Sequence, residues 1–165
     1  MAETMTAPVE INVRDAGSRL NLRTAVPEIV GAAIAVTLPT KVGEAAESRG
    51  WTSVCLGPDE WMLTSLESEP DFGEIPAGFS LVDVSHREVA ITVAGPGALD
   101  ALAAGCPRDL SKFSVGAGVR TVFDGVSVVV LQRAEDAFEL HVWRSYAPHV
   151  VHLLETVRAE LAIGL

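Results

Sequence analysis

The stretch "SLVDVSHREVAITVAG", residues 80–95, sets the reading of the whole chain. It alternates apolar and polar residues, breaks at His86-Arg87 and resumes the alternation up to Gly95. A strand, a short bend and a second strand are predicted. Asp83, Ser85, His86 and Arg87 crowd the bend like a catalytic constellation. Side chains on a strand alternate between faces, however, so Asp83 and Ser85 share one side while Val82, Val84 and His86 share the other. A Ser-His-Asp triad also draws its members from separate segments and needs an oxyanion hole beside them. The expectation is therefore structural: Asp83 and Ser85 satisfy backbone groups at a strand end, and His86 and Arg87 turn the chain.

Downstream, "PGALDALAAGC" has helical composition with Gly105 placed to end it. "VRTVF", "VSVVVLQR" and "AFELHVW" are three β-rich runs separated by Asp124-Gly125 and by Ala134-Glu135-Asp136, an antiparallel meander. Residues 145–161 set Val150, Leu153, Leu154, Val157 and Leu161 on one helical face, with Ser145 as N-cap and Pro148 in the first turn. Upstream, "WTSVCLGPDEWMLTSL" reads as a hairpin about Gly57-Pro58-Asp59. Ile34, Val36 and Leu38 alternate as in a strand, and "VGEAAESRG" reads as a short helix ended by Gly50. Residues 67–79 form a solvated acidic loop, and residues 1–28 an extended N-terminal arm with at most short structure. The remainder, 29–165, is expected to be a single α+β domain with a mostly antiparallel sheet and packed helices.

At 165 residues, 48% of them apolar and with a positive mean hydropathy, the chain has material for one good core. Its 22 acids against 12 Lys and Arg give a formal charge of −10, which repels nucleic acid and anionic membrane surfaces. No apolar run is long enough to span a membrane and the first residues do not resemble a secretory signal. The two cysteines, Cys55 and Cys106, form no CxxC pair. A cytoplasmic protein without nucleic-acid or membrane partners is expected.

Other chemical lures are weak. "GPGALD", residues 95–100, matches a dinucleotide loop only in its first two glycines; Asp100 stands where the third belongs and Pro96 removes a donor. Cys106 has only Arg108 nearby to stabilise a thiolate. His149 and His152, near Glu155, make two ligands where a metal needs three or four. Trp51, Trp61 and Trp143, with Glu139 and His141 at exposed parity, are candidates for a binding surface. No catalytic, cofactor-binding or metal-ligating residue is assigned.

Taken in order, "CLGPDEWML", "VDVSHR", "ITVAGPGALDALAAGCPRDL", "GAGVRT" and "HVWRSYA" resemble the gamma subunit of heterotetrameric sarcosine oxidase. "DVSH", "GPGA", "RDLS" and "VGAGVRT" are similar, more distantly, to the folate-binding domain of glycine-cleavage T proteins. The resemblance implies an aminomethyltransferase-like α+β fold. Where the T-protein pattern carries pterin-holding acids after its "RYT" segment, this chain reads "DGVSVVVLQR", with Asp124 before the glycine and Val128 to Val130 in the approximate place. It implies a scaffold that has lost its folate chemistry. It further implies a non-catalytic subunit supporting a complex that oxidatively demethylates sarcosine or a related N-methyl amine to glycine, passes the one-carbon unit to tetrahydrofolate and forms hydrogen peroxide. FAD, FMN, NAD, tetrahydrofolate and zinc would then belong to alpha, beta and delta partner subunits. The alternative is a free-standing folate-binding or aminomethyl-transfer domain, with Asp83, His86 or Asp109 supplying polar contacts.

Overall fold

The computed structural model describes residues 9–14, 17–66, 72 and 77–164. They form ten strands and three α-helices in the order β1 (Glu10–Arg14), β2 (Ser18–Thr24), α1 (Pro27–Ile34), β3 (Ala45–Ser48), β4 (Trp51–Gly57), β5 (Glu60–Ser65), β6 (Phe79–Asp83), β7 (Glu88–Ala94), α2 (Ala98–Ala103), β8 (Gly118–Phe123), β9 (Val126–Ala134), β10 (Ala137–Trp143) and α3 (Ala147–Ala162). The chain gathers into two compact units. The first takes the residues up to Arg14, Val89–Val115 and those from Arg120 onward; the second takes Asp15–Glu88 with Gly116–Val119.

The first unit carries a sheet of order β1-β7-β10-β9-β8, and the ladders β1/β7 and β9/β10 are antiparallel. One face of this sheet sends Val89, Ile91 and Val93, Val128 and Val130, and Phe138, Leu140 and Val142 into a core shared with Leu102 of α2 and with Val150 and Leu154 of α3. Alternation then puts Ala90, Val129, Leu131, Glu139 and His141 on the other face, and they are buried as well. Burial on both faces is why "VVVL", residues 128–131, is continuously apolar instead of alternating. Gly105 lies beside the Phe123 ring, where an added Cβ would meet ring carbons at 2.9 Å, so a side chain there has no room.

The second unit has the sheet order β3-β4-β5-β2-β6, with the β3/β4, β4/β5, β2/β5 and β2/β6 ladders antiparallel. Leu20, Leu22, Cys55, Trp61 and Leu63 pack with Val30 and Ile34 of α1. Its β2 lies within the segment expected to be an arm. "SRLNLRT" is short, but its Leu20 and Leu22 alternate and find partners in β5 on one side and β6 on the other. The acidic loop expected at 67–79 lies largely outside the described residues.

Two elements exchange character with the sequence reading. The predicted strand over Ile34–Leu38 is the end of α1 and the chain after it. Pro27 sits in the helix's first turn, Val30 and Ile34 form its buried stripe, and Ala35 closes it in the left-handed conformation at φ 55°. Conversely, the predicted helix in "VGEAAESRG" is β3, paired with β4. Gly50 marks a hairpin turn rather than a helix end, because Arg49 and Gly50 both have positive φ, 50° and 80°. Ser145 does not cap α3 either: the cap position is Tyr146, and Pro148 sits in the first turn as expected.

The two units trace one path twice. In β2-α1-β3-β4-β5 and in β7-α2-β8-β9-β10, a strand runs into a helix and returns through a three-stranded meander, whose last strand lies beside the first. The first meander turn agrees in detail, since Asp124 and Gly125 stand at φ 47° and 79°, matching Arg49 and Gly50. The fifth strand is exchanged. β1 precedes the first path yet pairs with β7 of the second, and β6 precedes the second path yet pairs with β2 of the first.

Candidate functional site

The "DVSH" segment is a tied-off strand end. Asp83 Oδ1 accepts from the Ser85 N–H at 2.8 Å and from its hydroxyl at 2.5 Å. Ser85 Oγ in turn accepts from the Arg19 N–H at 2.9 Å, and Val84 N–H donates to the Arg19 carbonyl at 2.8 Å. The two Ser85 bonds hold the Asp83 carboxyl below its ordinary value. This is the backbone-satisfying role expected for Asp83 and Ser85, and the turn closes with Arg87 N–H on the Val84 carbonyl.

The other lures resolve in the same direction. Gly95 takes φ 112° as the chain leaves β7, so "GPGA" is a tight turn into a six-residue helix with Asp100 exposed. Cys106 is packed into the first unit's core. His149 pairs with Asp124 at 2.8 Å, not with His152, while Glu155 pairs with Arg158. Asp109 holds Ser111 and Lys112 on an exposed turn. Among the described residues no three His, Cys, Asp or Glu gather as a metal site. Trp51 and Trp61 belong to the second unit's core, Trp61 donating its ring N–H to the Pro39 carbonyl at 2.7 Å.

The cluster that sequence reasoning misplaced is on β10. Glu139 and His141, given exposed parity, are 4% and 2% exposed, because the face opposite the helices is buried too. Glu139 Oε2 accepts from Arg14 at 2.7 Å and from Arg133 Nε at 3.3 Å. Glu139 Oε1 lies 2.8 Å from His141 Nε2 and 3.5 Å from Arg133. Burial alone would raise this carboxyl; the hydrogen bond and charge of His141, then the charge and hydrogen bonds of Arg133, outweigh it and hold it far below the usual carboxylate range. The fold itself does not demand the cluster. Counting from each hairpin turn, the repeat places Met62 and Thr64 of β5 where Glu139 and His141 stand in β10. What the ions add is a clamp: Arg14 on the exchanged strand β1 is tied through Glu139 to β10. Arg14 and Arg133, 125 and 6 residues from Glu139 in sequence, gave no local signal.

Asp124 and the valines at the place of the T-protein acids are now located. Val128 and Val130 are core residues, Val129 is buried on the opposite face, and Asp124 sits in an exposed turn facing His149.

A curated relative, sarcosine oxidase subunit gamma from Corynebacterium sp. (strain U-96), is 30% identical over 160 residues, covering 88% of this chain and 77% of that one. The chain belongs to the sarcosine oxidase gamma-subunit family. The gamma subunit from an Arthrobacter species is 29% identical over 141 residues, covering 81% of this chain and 70% of that one. The fold agrees with the family: a chain of the heterotetrameric sarcosine oxidase from Corynebacterium sp. U-96, solved in complex with pyrrole 2-carboxylate, superposes with a TM-score of 0.83 at 26% identity, over 93% of this chain and 85% of that one. The glycine cleavage system aminomethyltransferase T from Bartonella henselae shares the fold at a TM-score of 0.67 and 17% identity, over 91% of this chain and 46% of that one. No family model matches the chain. The gamma-subunit family thus has the T-protein-like antiparallel α+β architecture that the resemblance implied.

Proposed function

We propose that this chain is the non-catalytic gamma subunit of a heterotetrameric sarcosine oxidase, acting in the cytoplasm on sarcosine or a related N-methyl amine. The observation that carries the reading is likeness over nearly the whole length, in sequence and in fold, to gamma subunits of that enzyme. Its partners are the alpha, beta and delta subunits, which hold FAD, FMN, NAD, tetrahydrofolate and zinc. The complex demethylates the amine oxidatively to glycine, passes the one-carbon unit to tetrahydrofolate and forms hydrogen peroxide.

The residues of this chain support placing the pterin elsewhere. A pterin ring needs a carboxylate to accept its N–H groups. Val128 to Val130 offer hydrocarbon, Asp124 is engaged by His149, and the Glu139 carboxylate is occupied by Arg14, Arg133 and His141. Among the described residues no helix is long and apolar enough to cross a membrane. The test is capture of the tagged chain from its native host together with titration of the isolated chain with a reduced folate. Larger flavin-coloured subunits in the capture, with no saturable folate binding by the chain alone, are expected. Failure to capture any larger subunit, or saturable folate binding by the lone chain, overturns the proposal in favour of a free-standing folate domain.

A further inference from the structure

Nine aromatic residues occur in the chain, and seven of them are buried or partly buried. The two exposed ones, Trp143 at 55% and Tyr146 at 51%, lie against each other with ring centroids 6.5 Å apart. Water contact with two large rings is unfavourable by their apolar area, and Trp and Tyr are the residue types that most often anchor an interface. Both rings sit on fixed backbone. Trp143 ends β10, Tyr146 is the cap of α3, and the Tyr146 N–H donates to the Trp143 carbonyl at 2.9 Å across the turn. Anchors already held in place lose little conformational entropy on binding.

The surrounding charge indicates what covers them. In a chain of net charge −10, residues 140–154 contain no acid, and at their surface stand Arg144, His149 and His152. Asp124, which reaches this segment from the β8–β9 turn, is paired with His149. The segment is therefore a place where an acidic chain can meet a partner without like-charge repulsion.

We infer that Trp143 and Tyr146 are the anchor by which this chain docks into an apolar pocket rimmed by carboxylates on a larger subunit of the complex. The inference rests on the reading of the chain as a gamma subunit and names the surface that reading requires. Trp143→Ala and Tyr146→Ala, each in the tagged full chain co-expressed with the other subunits, are expected to weaken capture of the larger subunits by about 30-fold and about 10-fold. Ile163→Ala, at the exposed end of α3, serves as control and leaves capture unchanged. In wild-type protein, hydroxyl-radical labelling of Trp143 and Tyr146 is expected to fall when the complex forms, a readout that needs no variant to fold.

The outcomes separate cleanly. Wild-type chain that captures no larger subunit overturns the gamma-subunit reading and this docking surface with it. Wild-type capture with both variants within twofold of it and both rings still labelled overturns the docking surface alone. A species of twice the chain's mass in the isolated protein, abolished by Trp143→Ala, assigns the patch to a second copy instead and likewise overturns the inference.

Discussion

Glu139 is a carboxylate taken out of water and held by two half-exposed arginines, Arg14 and Arg133, with the buried His141 beside it. Deleting one member of a fully buried ion pair typically costs about 3–5 kcal/mol; with both arginines partly in water and the amide keeping the shape, Glu139→Gln at pH 7 is expected to cost about 1–3 kcal/mol. The pH dependence follows from the depressed carboxyl. Its ordinary value is 4.5, and the folded value is lower. Between the two the unfolded chain binds the extra proton, so stability rises with pH there. The contribution is whole above about 4.5 and drains away as pH falls toward the folded value. Urea melts at a series of pH values should show the gap between wild type and Glu139→Gln narrowing on acidification; parallel curves would remove the cluster's energetic role. Little of this was legible in the sequence. Parity put Glu139 and His141 on the face away from the helices, which was right, and assumed that face to be wet, which it is not. Arg14 could not be assigned because a strand that pairs 75 or more residues downstream leaves no local trace. By contrast Asp83 and Ser85 were readable, because their partners are two residues apart or in the adjoining strand.

At the scale of elements, the hairpins carried the strongest signal. Gly57-Pro58-Asp59 and Asp124-Gly125 both announced turns that exist, while Arg49-Gly50 was read as a helix end. Arg at the first turn position has no preference for φ 50°, so nothing but Gly50 marked that turn. The same fact makes a prediction. Left-handed backbone costs a side-chained residue about 1–2 kcal/mol, and Asn tolerates it best. Arg49→Asn should raise stability by about 0.5–1 kcal/mol, seen as an upward shift in melting temperature, whereas a fall would contradict the turn geometry. Helix α1 was mistaken for a strand because β-branched Ile34 and Val36 fall two apart by accident, one inside the helix and one beyond it. Periodicity could not separate them over so short a run.

For the molecule as a whole, the fold class was legible and the repeat was not. The two paths share core types, such as Trp61 with Phe138 and Leu63 with Leu140, but differ elsewhere along β5 and β10. A duplicated backbone thus survives with few matching letters. The exchange of β1 predicts how damage spreads. Removing residues 1–14 takes Val9, Ile11 and Arg14 from the first unit while leaving every strand of the second. Amide exchange should rise by tenfold or more in β7 and β10 with β4 and β5 nearly unchanged, measured by hydrogen–deuterium exchange; uniform loss of protection would mean that the units melt as one.

The exchanged strand also sets a schedule for synthesis. Arg14 leaves the ribosome long before Ala90, its pairing partner on β7. Chains grow at roughly 5–20 residues per second, so about 4–15 s separate the two. Throughout that interval β1 is an open edge, exposed to any other nascent strand. Glu10, Asn12 and Arg14 alternate polar groups along it, and such charged edges discourage pairing with strangers. The residues that later grip β10 and face solvent are the same ones that keep an early-born strand single while it waits.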